Sequence, residues 1–218
     1  DKTEEFILEM EKAGAALVEI GIPFSDPIAE GPVIQEANLR ALSAGCTTDK
    51  IFDMVAKLRK KTQIPLAFMA YANSLYKYGY DRFCKRCAEV GIDGLIIPDM
   101  PFEEKGELQE FTGKYDLKLI SLIAPTSQER IQMIAKEAEG FIYVVSSLGV
   151  TGVRDTITTD VGQIIDMIRQ VTDVPTAVGF GINKPEQVHQ YTQIADGAIV
   201  GSAIVRIVAQ YGEQAGPK

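Results

Sequence analysis

The 218 residues are 46% hydrophobic and 24% charged, enough for a sizeable core, and 30 acidic against 22 basic side chains give a net charge of −8. The acidic balance argues against binding to nucleic acid or a membrane surface. No apolar stretch approaches the ~18 residues of a membrane helix and no cationic leader is present, so we predict a soluble protein. Three cysteines and one histidine are a poor basis for a disulfide framework or a four-ligand zinc site, which predicts a reducing, cytoplasmic location.

Short apolar runs alternate with amphipathic stretches, which predicts parallel strands covered by helices on both faces. Most strands are spaced by about one βα unit, and repeated right-handed crossovers give a doubly wound sheet or a closed barrel. No linker divides the chain, so one domain is predicted over residues 1–218. The seven predicted strands are Ala16–Ile20, Pro65–Ala70, Gly94–Ile97, Lys118–Ile123, Phe141–Val145, Thr176–Val178 and Ala198–Val200.

The longest gap between strands predicts an insertion. Within it, the segment Gly21–Pro32 holds three prolines and two glycines, which predicts a long ordered loop directly after a strand. Long loops in compact domains are usually functional. Helices are predicted over residues 3–13, 51–61, 80–90, 103–114, 128–138, 161–171 and 185–191.

A carboxylate interrupts the first predicted strand. In the run Ala-Leu-Val-Glu-Ile, alternation places Glu19 on the face opposite to Val18 and Ile20. A glutamate that reaches solvent or pairs with a cation is the structural alternative. Active sites of α/β sheets and barrels collect at the carboxyl ends of parallel strands, and burial there raises a carboxyl pKa. Glu19 is therefore a candidate acid/base catalyst.

Two more carboxylates, Asp26 and Glu30, follow within the loop Gly21–Pro32. Proline reduces the entropy that such a loop loses on ordering, so its side chains are well positioned. Either residue could complete an acid/base pair with Glu19. The structural alternatives are turn formation for Asp26 and a solvated loop charge for Glu30.

Glycines follow the last two predicted strands, where helices begin. One strand runs into Gly179-Phe-Gly-Ile-Asn-Lys-Pro185, and the last runs into Gly201-Ser202. Glycine lets backbone N–H groups approach an anion, and a helix N-terminus adds partial positive charge. Two such turns match the phosphate site that TIM barrels commonly build after their seventh and eighth strands, although glycine also ends strands for conformational reasons.

The segment Ser146–Thr159, between a strand and a helix, contains small, polar and glycine residues. This composition predicts a mobile lid, with an ordinary surface loop as the alternative. Cys84 and Cys87 fall inside a helical pattern without a second ligand pair, so we interpret them as structural. His189 lies on a polar predicted helix, which argues against a triad or metal role.

The segment Leu17–Gln35 closely resembles the signature of the tryptophan synthase α-subunit family. That family is a (β/α)8 TIM barrel that cleaves indole-3-glycerol phosphate to indole and glyceraldehyde 3-phosphate by a retro-aldol reaction. The resemblance implies this fold and activity, with the first strand of the barrel missing from this chain. Similar family segments occur in the same order at Met69–Asn73, Asp99–Pro101, Ser146–Gly152, Gly179–Ile182 and Gly201–Ile204.

The resemblance also implies roles for single residues. Glu19 would protonate the indole ring carbon, and Glu30, where the family usually has Asp, would hold the proton of the indole nitrogen. Asp26 would face the β subunit. The other implied residues bind phosphate (Gly152, Gly181, Gly201, Ser202), line the indole pocket (Tyr71, Ile96, Tyr143) or act from the lid by hydrogen bonding to the second carboxylate (Thr151).

The implied partner is a β subunit, in an α2β2 complex. Pyridoxal phosphate belongs to that subunit, and this chain is expected to use neither a cofactor nor a metal ion. Two other functions remain open: a catalytically weak subunit that mainly activates the β partner implied by the resemblance, and a different TIM-barrel enzyme acting on a phosphate substrate.

Overall fold

The computed structural model describes residues 2–146, 157–179 and 181–216. It divides into two compact units, one comprising Asp1–Leu119 with Val205–Lys218 and the other Ile120–Ile204. Each unit contains one four-stranded sheet, and every strand pair in both sheets is parallel. The predicted α/β class is thus confirmed, with the strand and helix alternation of a TIM barrel. The single domain over residues 1–218 stays a prediction.

In the first unit the strands follow the order β1-β2-β3-β4. Glu19 of β1 pairs with Ala67 of β2, and Ala67 pairs with Gly94 of β3. The strands are β1 (Val18–Gly21), β2 (Leu66–Met69), β3 (Gly94–Ile96) and β4 (Lys118–Leu119). The helices are α1 (Lys2–Lys12), α2 (Pro32–Ser43), α3 (Thr48–Leu58), α4 (Ala72–Tyr78), α5 (Tyr80–Val90) and α6 (Gly106–Lys114).

In the second unit the strands follow the order β5-β6-β7-β8. The strands are β5 (Ser121–Ile123), β6 (Ile142–Val145), β7 (Thr176–Gly179) and β8 (Gly197–Ala198). The helices are α7 (Gln128–Lys136), α8 (Ile157–Arg169) and α9 (Pro185–Tyr191), and α10 (Ser202–Tyr211) begins at the end of this unit.

Two features differ from the predicted elements. The strand predicted over Lys118–Ile123 is two strands, because Ile120 pairs with neither sheet while β4 joins β3 and β5 joins β6. The helices α2 and α4 were not predicted. The apolar side chains of α2 are at most half-buried and Leu39 on it is 58% exposed, so its amphipathic pattern is weak.

The core of the first unit lies between its helices and one face of its sheet. The rings of Phe52, Phe68 and Phe83, from α3, β2 and α5, are fully buried with centroids 5.4–6.2 Å apart. Val18 and Ile20 of β1 join the same cluster. Because side chains alternate along a strand, the other face of the sheet carries Glu19.

Two segments repeat one pattern before a strand of each unit. Arg59-Lys-Lys-Thr-Gln-Ile-Pro65 precedes β2, and Arg169-Gln-Val-Thr-Asp-Val-Pro175 precedes β7. In each, the threonine hydroxyl accepts a hydrogen bond from the amide two residues later, at 3.0 Å for Ile64 and 3.3 Å for Val174. The same local arrangement therefore precedes one strand of each sheet.

An aspartate just before the neighbouring strand, β3 or β8, belongs to the same arrangement. The Asp93 carboxylate accepts a hydrogen bond from the Leu66 amide at 2.8 Å, and Asp196 accepts one from the Thr176 amide at 2.8 Å. Each aspartate amide donates back to the carbonyl of the same partner, at 2.9 and 3.0 Å. In the first unit, Arg59 Nη2 lies 2.6 Å from Asp93 Oδ2. In the second unit, Arg169 Nη2 lies 3.9 Å from Asp196 Oδ1.

Candidate active site

Glu19 lies in the middle of β1 on the face of the sheet opposite to the aromatic core. Ala67 pairs with it on β2, and Gly94 pairs with Ala67 on β3, so small residues lie beside Glu19 across the sheet. Further along the same face, Met69 pairs with Ile96, whose side chain is fully buried. The strand alternation predicted for Glu19 is confirmed.

The carboxyl group of Glu19 belongs to a half-buried residue of β1. Among the described residues, none donates a hydrogen bond to it or forms an ion pair with it. Because burial penalises the charged form, the pKa of Glu19 rises to about 7. A carboxyl group with this pKa is half protonated near neutral pH, so it can both donate and accept a proton.

The loop between β1 and α2 is anchored by Tyr71, which immediately precedes α4. The Tyr71 hydroxyl accepts hydrogen bonds from the amides of Ile28 at 3.1 Å and Ala29 at 2.9 Å. The ring of Phe24 stacks on the Tyr71 ring with centroids 5.0 Å apart. The predicted long loop is confirmed as ordered, and it has no regular secondary structure before Pro32.

Glu30 ends this loop and is partly buried. The Tyr71 hydroxyl donates a hydrogen bond to its Oε2 at 2.5 Å. Burial raises the pKa of Glu30, the hydrogen bond from Tyr71 opposes that rise, and the Asp99 carboxylate adds to it. The structure therefore brings Glu30, Tyr71 and Asp99 together. No hydrogen bond links Glu30 to Glu19 among the residues described.

The sequence alone does not indicate that Tyr71 anchors the loop between β1 and α2. Tyr71 was singled out only as a pocket residue, and its ring is 3% exposed. Its partners lie 41–43 residues earlier in the chain, so no local pattern indicates the contact. Asp99 was likewise given no role, although its Oδ1 accepts a hydrogen bond from the Ala72 amide at 2.9 Å and so fixes the backbone next to Tyr71.

Asp26 is exposed in the same loop and accepts a hydrogen bond from Ser25. It lies at an open groove of about 250 Å³ lined by Phe24, Ser25, Asp26, Pro27, Gln35 and Leu39. The neighbouring Ile28 is 81% exposed.

In the second unit, glycines stand at matching places beyond β7 and β8. Val178 pairs with Ala198, and Gly181 and Gly201 each follow three residues after that pair. Both glycines are exposed, no described atom lies within 4 Å of a Cβ added to either, and Gly181 has a φ of +76°. Ser202 begins α10. Open backbone at the carboxyl ends of adjacent strands suits an anion.

Some amides of the β7–α9 turn are already occupied. The Gln187 Oε1 accepts hydrogen bonds from the amides of Asn183 at 2.9 Å and Lys184 at 3.1 Å. Two predicted residues, Gly152 and Thr151, lie outside the described residues, as does most of the predicted lid Ser146–Thr159.

Tyr143 of β6 packs against β7 at Gly179. A Cβ added to Gly179 would fall inside the Tyr143 ring, so only glycine fits while the ring keeps this position. The close approach fixes the predicted pocket residue Tyr143 against its neighbouring strand. Its predicted contact with indole stays a prediction.

We expect Gly179→Ala to lower the free energy of unfolding by about 1–3 kcal/mol, because the Tyr143 ring must leave its position. Thermal denaturation measures the effect. Gly162→Ala is the control, since Gly162 lies within α8 with no described atom outside the helix near its added Cβ, and should stabilise by ~1 kcal/mol. Equal unfolding temperatures for Gly179→Ala and the unchanged protein would contradict this packing.

The two cysteines interpreted as structural lie in the core of the first unit. Cys84 and Cys87 are fully buried in α5, and burial raises the pKa of the Cys84 thiol to about 12. His189 is exposed on α9. Over the described ranges, no cluster of three or more His, Cys, Asp or Glu side chains could hold a metal ion. None of the described helices has the length and apolar character needed to cross a membrane.

Comparison with known proteins identifies the relatives of this chain. A family model described as tryptophan synthase alpha chain matches residues 1–217. The tryptophan synthase alpha chain of Lacticaseibacillus casei is 50% identical over 215 residues, covering 99% of this chain and 81% of that protein. That of Lactiplantibacillus plantarum is 51% identical over 212 residues, covering 97% and 80%.

Solved structures agree with the sequence relatives. The tryptophan synthase subunit alpha of Campylobacter jejuni has a TM-score of 0.89 and 34% identity, covering 98% of this chain and 86% of that one. A structure of the tryptophan synthase a2b2 complex of Pyrococcus furiosus has a TM-score of 0.90 and 35% identity, covering 99% and 88%. At these identities the similarity extends beyond the fold.

Proposed function

Because the chain belongs to the tryptophan synthase alpha chain family, we infer that it is the lyase that cleaves indole-3-glycerol phosphate to indole and glyceraldehyde 3-phosphate in tryptophan biosynthesis. The observation in this chain that carries the inference most directly is Glu19, a carboxyl group in an apolar strand with no ion-pair partner among the described residues. Its pKa of about 7 suits a reaction that both adds and removes a proton near neutral pH.

The proposed reaction balances with Glu19 as its acid and base. The protonated carboxyl group of Glu19 donates its proton to the indole ring carbon that bears the side chain. The carbon–carbon bond then breaks as the adjacent hydroxyl loses its proton and becomes the aldehyde of glyceraldehyde 3-phosphate. The bonding electrons return to the indole ring, and the Glu19 carboxylate is reprotonated by the hydroxyl proton. The protonated indole ring itself accepts these electrons, so no cofactor is proposed for this chain.

Glu30 is proposed to hold the N–H of the indole ring. Protonation of the ring carbon places positive charge on the nitrogen, and a nearby carboxylate stabilises that charge. The Tyr71 hydroxyl donates to Glu30, which favours the ionised carboxylate needed here. Ile96 and Tyr143 are proposed as further walls of the indole pocket.

The phosphate group is proposed to bind backbone amides rather than a cationic side chain. Gly181, Gly201 and Ser202 support this proposal because their backbone is exposed at equivalent ends of two paired strands. Gly152 and Thr151 are assigned to the same reaction by resemblance, as a phosphate ligand and a lid residue.

We propose that the chain assembles with a β subunit, as the alpha subunit of the Pyrococcus furiosus a2b2 complex does. Pyridoxal phosphate is proposed to reside on the β subunit. Three free cysteines and a biosynthetic activity support a cytoplasmic location.

We expect Asp26→Ala to weaken activation by the β subunit about tenfold, which corresponds to ~1.4 kcal/mol, because the exposed carboxylate is proposed to contact that partner. The basal rate should change less than about twofold, since Asp26 contacts neither carboxylate of the site. Indole release is measured against β-subunit concentration. The exposed Asp166 of α8 provides the control variant Asp166→Ala, which should change neither quantity. Equal losses of basal and activated rates would assign Asp26 to the active site instead.

The activity itself is tested by incubating the purified chain with indole-3-glycerol phosphate, with and without a β subunit. We expect indole under both conditions and faster release with the partner. Indole only in the presence of the β subunit would instead identify a weak subunit whose main task is activation. No indole under either condition would assign the chain to another phosphate-binding barrel enzyme.

A further inference from the structure

The hydroxyl group of Tyr71 is fully used. A phenolic oxygen has two lone pairs and one proton. The Ile28 and Ala29 amides supply hydrogens to its lone pairs, at 3.1 and 2.9 Å. The remaining proton therefore points at Glu30 Oε2, 2.5 Å away. This arrangement fixes the direction of the hydrogen bond and makes that Glu30 oxygen an acceptor.

We propose that Tyr71 is the positioning residue of Glu30, and that the pair is matched in length, so that this chain requires Glu rather than Asp at position 30. The proposal rests on the proposed function, in which Glu30 holds the indole N–H. Tyr71 touches one oxygen of a group with about four acceptor sites, which leaves acceptor capacity for the substrate.

The length match follows from the anchored loop. An aspartate at position 30 would withdraw the carboxylate by about one carbon–carbon bond, ~1.5 Å, and stretch the contact with Tyr71 to ~4 Å, beyond hydrogen-bond range. The loop cannot follow freely, because Tyr71 also binds the amides at Ile28 and Ala29 and stacks on Phe24. The extra methylene of Glu30 is therefore what completes the contact.

Tyr71 is itself held in place. Its side chain is 3% exposed, and the amide that follows it, on Ala72, donates to Asp99 at 2.9 Å. A buried ring with fixed backbone on one side and a stacked partner on the other has little freedom to search for other contacts. The position of Glu30 is thus set before a substrate binds.

A double-mutant cycle tests the proposal. Tyr71→Phe and Glu30→Asp should each lower kcat for indole release by about tenfold with KM changed less than about threefold, because a displacement near 1 Å costs rate more than binding. The double variant should be no slower than the slower single variant, since both remove one contact. Tyr76→Phe, on the 73% exposed Tyr76 of α4, is the control and should match the unchanged protein.

A pH profile separates positioning from a loss of packing. Among the described residues, Tyr71 and Asp99 are the other titratable groups that act on the pKa of Glu30: the hydrogen bond from Tyr71 lowers it and the Asp99 charge raises it. Tyr71→Phe removes the hydrogen bond that lowers the pKa of Glu30 and keeps the burial and the Asp99 charge that raise it. The acid limb of kcat/KM should therefore move to higher pH in this variant. An unmoved limb, or rate losses that multiply in the double variant, would overturn the proposal.

The same cycle measured on unfolding separates this proposal from the proposed function. We expect the two substitutions to be coupled in the free energy of unfolding as well, because the hydrogen bond exists without substrate. If the two substitutions are coupled in the free energy of unfolding but the unchanged protein releases no indole, the proposed function is rejected and the Tyr71–Glu30 contact stands. If the unchanged protein releases indole but the two substitutions act independently on both kcat and the free energy of unfolding, the Tyr71–Glu30 proposal is rejected and the proposed function stands.

Discussion

Replacement of Glu19 by glutamine is expected to lower kcat for indole release by about 100-fold or more, with KM changed less than about threefold. The amide has the size of the carboxyl group but cannot transfer its proton to a ring carbon, so an interaction of the transition state is lost while substrate contacts remain. Steady-state kinetics with indole-3-glycerol phosphate measure both constants.

The matched control is Glu36→Gln, the same chemical change on the exposed side of α2. It should leave both constants unaltered, since surface substitutions away from special features have small effects. Turnover by Glu19→Gln equal to that of the control would contradict the assignment of Glu19 as the acid.

Loss of folding cannot account for the expected effect. The pKa of Glu19 in the folded chain is about 7 against the ordinary 4.5, so the folded state holds this proton more tightly than the unfolded chain. Ionisation therefore destabilises the fold progressively as pH rises from 4.5 to 7, by an upper bound of about 3 kcal/mol above that range. Glu19→Gln removes this cost and should unfold at a higher temperature than the unchanged protein at pH 8.

The pKa of Glu19 also sets how the activity depends on pH. Because the acid must carry its proton, kcat/KM is expected to fall as pH rises above about 7. The acid limb of the profile belongs to Glu30, whose ionised form is needed. A profile that rises through pH 8 would be incompatible with Glu19 as the proton donor.

Arg59→Met is expected to lower the free energy of unfolding by about 3 kcal/mol, which corresponds to a fall of about 6–12 °C in Tm. The Arg59 side chain is 13% exposed and donates to the carbonyls of Gly91 at 2.7 Å and Ile64 at 2.5 Å and to Asp93 at 2.6 Å. Methionine keeps the apolar stem but leaves these acceptors without their charged donor. Thermal denaturation measures the loss.

The corresponding arginine of the second unit supplies the control. Arg169 occupies the equivalent place in the second unit, yet its side chain is 51% exposed and lies 3.9 Å from Asp196. Because exposed ion pairs contribute little, Arg169→Met should cost less than about 1 kcal/mol. Equal costs at the two positions would show that the carbonyl contacts of Arg59 do not stabilise the fold.

Strand patterns in the sequence predict the sheets well because each strand is a short apolar run. The alternation around Glu19 indicated the correct face, since Val18 and Ile20 had to enter the core. The break at Ile120 is invisible in the sequence, because no glycine or proline interrupts the run Lys118–Ile123. Only the pairing of each half with a different sheet reveals it.

The carboxylates of the site were predictable, whereas their arrangement was not. Glu30 stood out as a charge in a proline-rich loop, but its contact with Tyr71 joins residues 41 positions apart. Long-range side-chain contacts leave no periodic signal in a single sequence. For the same reason, the packing of Tyr143 on Gly179 becomes visible only when β6 and β7 pair.

Cleavage of indole-3-glycerol phosphate in D2O tests most directly the claim that this chain is a lyase with Glu19 as its acid. The exchangeable proton of Glu19 is then deuterium, so the released indole should carry one deuterium on the ring carbon where the side chain was attached, with an equal amount of glyceraldehyde 3-phosphate. Mass spectrometry of the product measures the label, and Glu19→Gln should yield at most about 1% of the indole. Unlabelled indole, or an equal yield from Glu19→Gln, would contradict the account.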